Sequence, residues 1–168
     1  MQPDLSRVPQ FYHNYINHVP QDDLMEAFRV QTPITMNFFE ALPSQKHDYR
    51  YAAGKWTIKE VIQHIIDAER VFTYRALCFA RKDKTFLPAF DENSYADHSK
   101  GHQRNWTNML EEFRSLRTAT EYLFGSFDAE QLDETGTSNN NSIYVLGVGY
   151  IVIGHAMHHI KVIKERYL

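Results

Sequence analysis

The sequence predicts an all-α fold, a four-helix bundle that occupies residues 1–168 as a single domain. Four segments carry apolar residues at the three- and four-residue spacing of amphipathic helices. The connections between them span about 14 to 21 residues, whereas helix connections in bundles usually span about 2 to 8. Connections of this length can cross the bundle. We therefore expect long crossovers rather than a simple up-down-up-down order.

The first two helices are predicted over residues 22–42 and residues 57–81. Pro33 lies inside the first segment, which we expect to be one kinked helix. Thr57 and Glu60 have the spacing of a capping box, with Thr57 as the N-cap. The start of the second helix is therefore the best-defined boundary in the chain.

The last two helices are predicted over residues 103–124 and residues 142–167. Gly125 is placed to end the third. Glycines weaken the fourth, and residues 143–153 have a buried strand as an alternative. We reject the strand because we find no partner strand elsewhere, and expect the glycines to permit close helix packing or room for a ligand. Residues 82–102, the longest connection, should cover one end of the bundle.

The composition excludes several classes of protein. The single cysteine, Cys78, rules out an internal disulfide framework and a cysteine-based zinc site. The net charge is −3. A slightly acidic chain is not expected to bind nucleic acid through a global positive field. The mean hydropathy is −0.51, and no apolar run reaches the roughly 20 residues of a membrane span. The N-terminus lacks a signal-peptide pattern, so we expect a cytoplasmic protein.

The 9 histidines are the feature that points to chemistry. His155 and His159 are four residues apart on the apolar side of the fourth helix, about 40° apart around its axis. Two buried imidazoles need partners, and a metal ion bound by both satisfies them. Because nine histidines produce such a spacing by chance, a purely structural pair is the alternative. A second pair, His98 and His102, lies in a polar connection where we expect neither helix nor site.

His64, in the middle of the second helix, is the candidate third ligand. It lies at the edge of the apolar arc, where it can face a neighbouring helix. Glu60 and Asp67 share its side of the helix and are candidate acceptors for its second ring nitrogen. The alternative is a boundary histidine that hydrogen bonds to solvent. We expect His158 on the flank of the fourth helix, and the remaining histidines in loops or on the surface: His13, His18 and His47.

Glu69 falls near the centre of the apolar arc of the second helix. A buried carboxylate needs a partner, and Arg104, Arg114 or Arg117 could provide one. We favour a structural ion pair. A role as an acid or base near the metal is the alternative, although Glu69 lies about 140° around the helix from His64.

Two motifs resemble the DinB-like (YfiT-like) family of metal-dependent enzymes. One is Asp48–His64, which contains Gly-Lys-Trp-Thr, and the other is Gly154–Ile160, which reads Gly-His-Ala-Met-His-His-Ile. The resemblance extends from about residue 22 onward. It implies a four-helix bundle with crossed connections and a divalent metal held by His64, His155 and His159. Zinc and nickel are favoured, with iron or manganese as further candidates.

The resemblance also implies a homodimer that acts on a small-molecule substrate. From the charge and hydropathy we expect neither nucleic acid nor membrane as a partner. Relatives include S-transferases that use low-molecular-weight thiols, and hydrolases. Three histidines leave coordination positions open, as in catalytic metal sites, so a metal-dependent S-transferase or hydrolase is the first hypothesis. Glu60, Asp67 or Glu92 could move protons. A non-catalytic metal-binding or stress-related interaction module is the alternative.

Overall fold

The computed structural model describes residues 2–168. Four long helices form the body of the protein: α2 (Leu24–Glu40), α3 (Ile58–Ala80), α5 (Trp106–Gly125) and α7 (Val145–Arg166). Three short helices lie between or before them: α1 (His13–Ile16), α4 (Glu92–Ser99) and α6 (Ala129–Asp133). Strands β1 (Thr135–Ser138) and β2 (Asn141–Tyr144) form an antiparallel hairpin directly before α7.

The long helices form a four-helix bundle with crossed connections. Helix α7 packs on α2 and α3, and α5 packs on the same two helices. Consecutive long helices α2 and α3 therefore lie on one diagonal of the bundle, and α5 and α7 lie on the other. The expected crossovers are confirmed, because the connections before α3 and before α7 both cross the bundle.

The local signals that predicted the helices are visible in the structure. Thr57 caps α3: its Oγ1 accepts from the backbone N–H of Glu60 at 3.1 Å, and Glu60 Oε2 accepts from the backbone N–H of Thr57 at 2.7 Å. Arg81 is the C-cap of α3. Helix α2 runs through Pro33 as one helix. The capping box and the continuity of α2 through Pro33 are confirmed, and the position of every side chain on α3 follows from its fixed start.

The hairpin corrects one prediction. We rejected a strand over residues 143–153 because we saw no partner, yet Ile143 lies in β2 and pairs with Gly136 in β1. The turn consists of Asn139 and Asn140, both at positive φ (49° and 57°). Asparagine tolerates this conformation, so the Asn-Asn pair makes a tight hairpin turn. The partner strand was missed because it is only four residues long and lacks apolar alternation.

Residues 82–102 are also more ordered than expected. They contain α4, which packs on α3, so His98 is helical, contrary to the prediction for this connection. Leu87 is buried, and its backbone bonds to that of the β-hairpin: its N–H donates to Thr137 O (3.4 Å), and its carbonyl accepts from Asn139 N (3.0 Å). The connection and the hairpin thus hold each other against the bundle.

The bundle interior consists of two apolar clusters, one on each side of the histidine level. One cluster contains Phe28, Phe72 and Ile151, and the other contains Phe39 and Ile160, each with their buried neighbours. Helix α7 is long and apolar enough to cross a membrane by length and composition alone. However, 67% of its most apolar window is buried inside the bundle, as expected for the central helix of a packed core.

Candidate metal centre

The structure brings together His64 from α3 and His155 and His159 from α7. The Nε2 atom of His155 lies 3.0 Å from Nε2 of His64 and 3.1 Å from Nε2 of His159. One ring nitrogen from each residue lies within 4.8 Å of those of the other two. The three side chains named from the sequence therefore form one compact cluster of nitrogen atoms.

Each histidine reaches the cluster for a local reason. The four-residue spacing puts His155 and His159 on one face of α7, and α3 is the main neighbour of that helix. Gly154, just before His155, lets α1 approach: a Cβ at this position would lie 2.0 Å from the carbonyl oxygen of Tyr15. The Tyr15 ring consequently packs edge-on against the His155 ring, with centroids 5.3 Å apart. This close approach confirms the role expected for a glycine of the fourth helix.

Burial keeps all three imidazoles neutral. It lowers the pKa of His64 to about 4. It lowers the pKa of His155 further below the usual range, and the neighbouring rings of His159 and His64 add to the effect. The pKa of His159 is lowered for the same reasons, burial first. A neutral imidazole has a lone pair available for a metal, so this set is in the ligand-competent state near neutral pH.

The cluster fits a divalent cation better than it fits hydrogen bonding among the rings. A neutral Nε2 atom carries one hydrogen or offers one lone pair. It therefore cannot fully serve two neighbours at 3.0 and 3.1 Å, as His155 would have to do. Two nitrogens bound tetrahedrally to one zinc ion at about 2.0–2.1 Å lie about 3.3 Å apart. The observed separations are close to that value, and imidazole is a common ligand for zinc, nickel, copper and iron.

The two carboxylates expected to accept a hydrogen bond from His64 bond to other groups instead. Glu60 bonds to Thr57 as part of the helix cap, and its other oxygen lies 3.4 Å from Arg50 Nη2. Asp67 accepts a hydrogen bond from Gln63 at 2.9 Å. Within residues 2–168 no carboxylate hydrogen bonds to any of the three rings. Both acids lie within one turn of His64 on α3, as the helical spacing predicted. However, the helix cap engages the carboxylate of Glu60, and the Gln63 amide engages that of Asp67.

A cavity of about 320 Å³ opens beside the cluster, and all three histidines line it. Its walls are mainly aromatic, with contributions from the N-terminal segment through α1, from α3 and the residues just before it, and from the connection after α3: Phe11, Tyr12, Tyr15, Trp56, Phe72 and Phe90. Polar groups in the wall include Arg75, Glu92 and Asn139. The N-terminal residues, which lie outside the stretch that resembles the family, therefore form one side of the candidate site.

Arg75 was missed by the sequence analysis, although a signal was present. It lies 11 positions after His64 on α3, which places it about 20° from His64 around the helix axis. An arginine on the helix face that carries a candidate ligand is itself a candidate residue of the site. Tyr15 of α1 and the two aromatic residues just before this helix gave no such signal, because nothing in their spacing indicates that this segment packs on α7.

Glu69 has the structural role favoured from the sequence. Its carboxylate accepts from Arg117 Nε at 2.9 Å and Nη2 at 2.8 Å, and both side chains are almost completely buried. The Arg117 guanidinium also lies over the rings of Phe28 and Phe113. The pair joins α3 to α5 and neither residue lines the cavity beside the histidines, so its role is to hold the bundle together.

The other histidines take different roles. His47 lies in the connection between α2 and α3, as expected, but it is buried there and stacks on Trp106 with ring centroids 3.8 Å apart. His158 lies on the flank of α7 as expected, with its ring 5.9 Å from that of His18. His98 is exposed on α4, and its Nδ1 atom lies 2.7 Å from the carbonyl of Ser94 one turn earlier. None of these joins the cluster.

Comparisons with known proteins agree with this architecture. The chain is similar in structure to YfiT from Bacillus subtilis, described as a probable metal-dependent hydrolase with an unusual four-helix bundle topology. The two share 18% sequence identity and a TM-score of 0.72, over 98% of this chain and 90% of that chain. At this identity the likeness establishes the fold. No curated protein matches the sequence at a significant level.

The family assignment has independent support in the sequence. The sequence profile of the DinB superfamily matches residues 27–163. The match covers α3 and α5 completely and most of α2 and α7, and it includes the three clustered histidines. It confirms the family resemblance drawn from the Gly-Lys-Trp-Thr and Gly-His-Ala-Met-His-His motifs. This chain belongs to the DinB superfamily.

Proposed function

We propose that this protein is a metal-dependent enzyme in which His64, His155 and His159 hold a divalent cation, zinc or nickel first. The enzyme would be a hydrolase or a thiol S-transferase. One observation carries the proposal: three neutral imidazoles converge at the wall of an open cavity, and no fourth ligand closes the set. Within residues 2–168 the cluster gains no cysteine, carboxylate or further histidine.

The missing fourth ligand separates catalytic from structural metal sites. Structural zinc sites are usually closed by four protein ligands, whereas catalytic sites keep a position for water or substrate. Here all three ligands come from α3 and α7, and all three line the open cavity. This arrangement favours an enzyme over a metal-binding module whose site is closed.

The metal would supply a nucleophile near neutral pH, because a divalent cation lowers the pKa of a water or thiol that it binds. The chain's own groups prepare the site. Tyr15 and Phe72 pack against the His155 ring, with centroids 5.3 and 5.9 Å from it. They limit the access of water and keep the imidazole neutral. Trp56 shields His64 in the same way, at 5.0 Å.

Proton transfer has one candidate at the cavity itself. Glu92 lies at the start of α4 and is exposed, yet it lines the cavity. A carboxylate in this position could accept a proton from an incoming nucleophile. Glu60 and Asp67 are less suitable, because the hydrogen bonds described above occupy them.

The test compares metal-free protein with protein reloaded with zinc or nickel in two assays. Hydrolysis of p-nitrophenyl acetate reports water activation. Conjugation of cysteine to chlorodinitrobenzene, in which a C–S bond forms and chloride leaves, reports thiol activation. We expect metal to restore activity in one assay and His155→Ala to abolish it, while exposed His98→Ala has no effect. Equal activity of the metal-free and metal-loaded proteins would refute the proposal. Bound metal without turnover in either assay would favour a non-catalytic module.

A further inference from the structure

Arg75 is a buried cation that no carboxylate neutralises. It lies on α3 and only 4% of its surface is exposed. Within residues 2–168 no aspartate or glutamate oxygen lies within 4.0 Å of its nitrogens, although most arginines of the chain have such a partner. A buried charge without a counter-ion is costly. A cost of this kind is typical of a group that has a partner in the functional state.

The surroundings of Arg75 direct it toward the cavity. Its Nη2 atom donates to the carbonyl oxygen of Pro88 at 2.9 Å, which anchors one edge of the guanidinium. The rings of Phe72 and Phe90 each lie 6.0 Å from its Cζ atom. All three side chains line the cavity. The guanidinium is thus held in place and presents its charge in an aromatic, water-poor wall.

The Phe72 ring lies close to both Arg75 and the candidate metal centre. Its centroid is 5.9 Å from the ring of His155 and 6.0 Å from Arg75 Cζ. A molecule that contacts both the histidine cluster and Arg75 would lie against this ring and its aromatic neighbours. Its middle part should therefore be apolar and about the size of an aromatic ring or a short alkyl chain.

We infer that Arg75 binds a carboxylate of the substrate, so that the enzyme acts on monoanionic molecules with an apolar body. This inference rests on the proposed function, because it names the substrate class of the same cavity. A guanidinium pairs with a planar carboxylate through two hydrogen bonds. A doubly charged phosphate is less suitable, because Arg75 is the only arginine or lysine in the cavity wall and Glu92 adds a negative charge.

Glu92 does not take the place of that substrate group. It is the one carboxylate in the cavity wall, but it is exposed and lies beyond ion-pair distance from Arg75. A carboxylate that enters the cavity between the aromatic rings would be far less hydrated than Glu92. The hydrogen bonds of Arg75 to such a group would be correspondingly stronger.

The test uses phenylpropionate and its neutral amide as probes, with calorimetric titration of metal-free and metal-loaded protein. Wild-type protein should bind the acid at least about tenfold more tightly than the amide, since charge-assisted hydrogen bonds exceed neutral ones by this order. Arg75→Gln should abolish the preference and Arg75→Lys should retain part of it. Arg81→Gln, at the exposed end of the same helix, should bind as wild type.

The outcomes separate this inference from the proposed function. Equal binding of acid and amide by wild-type protein would overturn the role of Arg75, and this comparison does not depend on whether any variant folds. A preference that survives in folded Arg75→Gln would also overturn it, because the carboxylate would then be held by the metal or another group. A preference that depends on Arg75 in a protein that binds no metal would support the anion site while the proposed function fails.

Discussion

The Nε2 atoms of His64 and His155 lie 3.0 Å apart, although 91 positions separate the two residues in the chain. The contact exists because α7 crosses the bundle to pack on α3 rather than beside α5. The family fold therefore brings the three histidines together. It places these buried titratable groups where the two apolar clusters of the bundle interior meet. The stability of the metal-free protein should reflect this.

Metal-free protein should lose stability as the pH falls from about 6.5 to about 4. The histidines have lower pKa values in the folded protein than in the unfolded chain, so the unfolded state takes up protons that the folded state excludes. Each histidine that stays neutral should cost about 1.4 kcal/mol of unfolding free energy per pH unit within this window. Urea unfolding in the presence of a chelator measures the slope.

The control for this slope is a variant in which His64, His155 and His159 are all glutamine. The unfolding free energy of this variant should depend less steeply on pH across the same range, because its remaining acid sensitivity comes from carboxylates. Identical slopes for wild type and this variant would show that the cluster is not held neutral by burial.

Glu69→Gln should destabilise the protein by about 3–5 kcal/mol, because it leaves Arg117 buried without its counter-charge. Replacement of both residues, Glu69→Gln with Arg117→Met, should recover much of that loss. The exposed pair Glu40 and Arg114 is the matched control, and Glu40→Gln should cost less than about 1 kcal/mol. Chemical unfolding measures all three. A loss for Glu69→Gln as small as that of the control would contradict the structural role.

Gly154→Ala should displace α1 from α7, because the added Cβ would meet the Tyr15 carbonyl oxygen at 2.0 Å. Forced repacking of this kind usually costs about 1–3 kcal/mol. Binding of phenylpropionate should weaken as well, since Tyr12 and Tyr15 line the cavity. In Gly125→Ala the added Cβ meets only the flexible end of Met25 at 3.3 Å, so stability should be nearly unchanged. Equal stability of Gly154→Ala and wild type would show that α1 is not seated as described.

Much of this molecule could be predicted from local signals. The capping box fixed the start of α3, and thereby the phase of His64 and Glu69 along it. Four-residue spacing on an apolar face identified His155 and His159. The helix cap and the shared face of the two histidines are confirmed in the structure, because both depend on helix geometry, which acts within a few residues of the chain. Metal binding by the histidines stays a prediction.

The remaining features depend on contacts between distant segments. The hairpin before α7 was missed because four polar residues of β1 gain stability only by pairing. Burial of His47 depends on Trp106, 59 positions away, and the cavity wall depends on α1 docking at Gly154. The partners of Glu60 and Asp67 were misjudged because two acceptable hydrogen-bond partners competed, and helix phase alone does not decide between them.

Metal content is the most direct test of the central claim. Protein purified without chelator, or reloaded with zinc or nickel and dialysed, should contain about one metal ion per chain by plasma mass spectrometry, as expected for one three-histidine site. His64→Ala, His155→Ala and His159→Ala should each lose most of it, while His98→Ala retains it. Wild-type protein that holds no metal after reloading, or a folded His155→Ala with undiminished metal, would contradict the account.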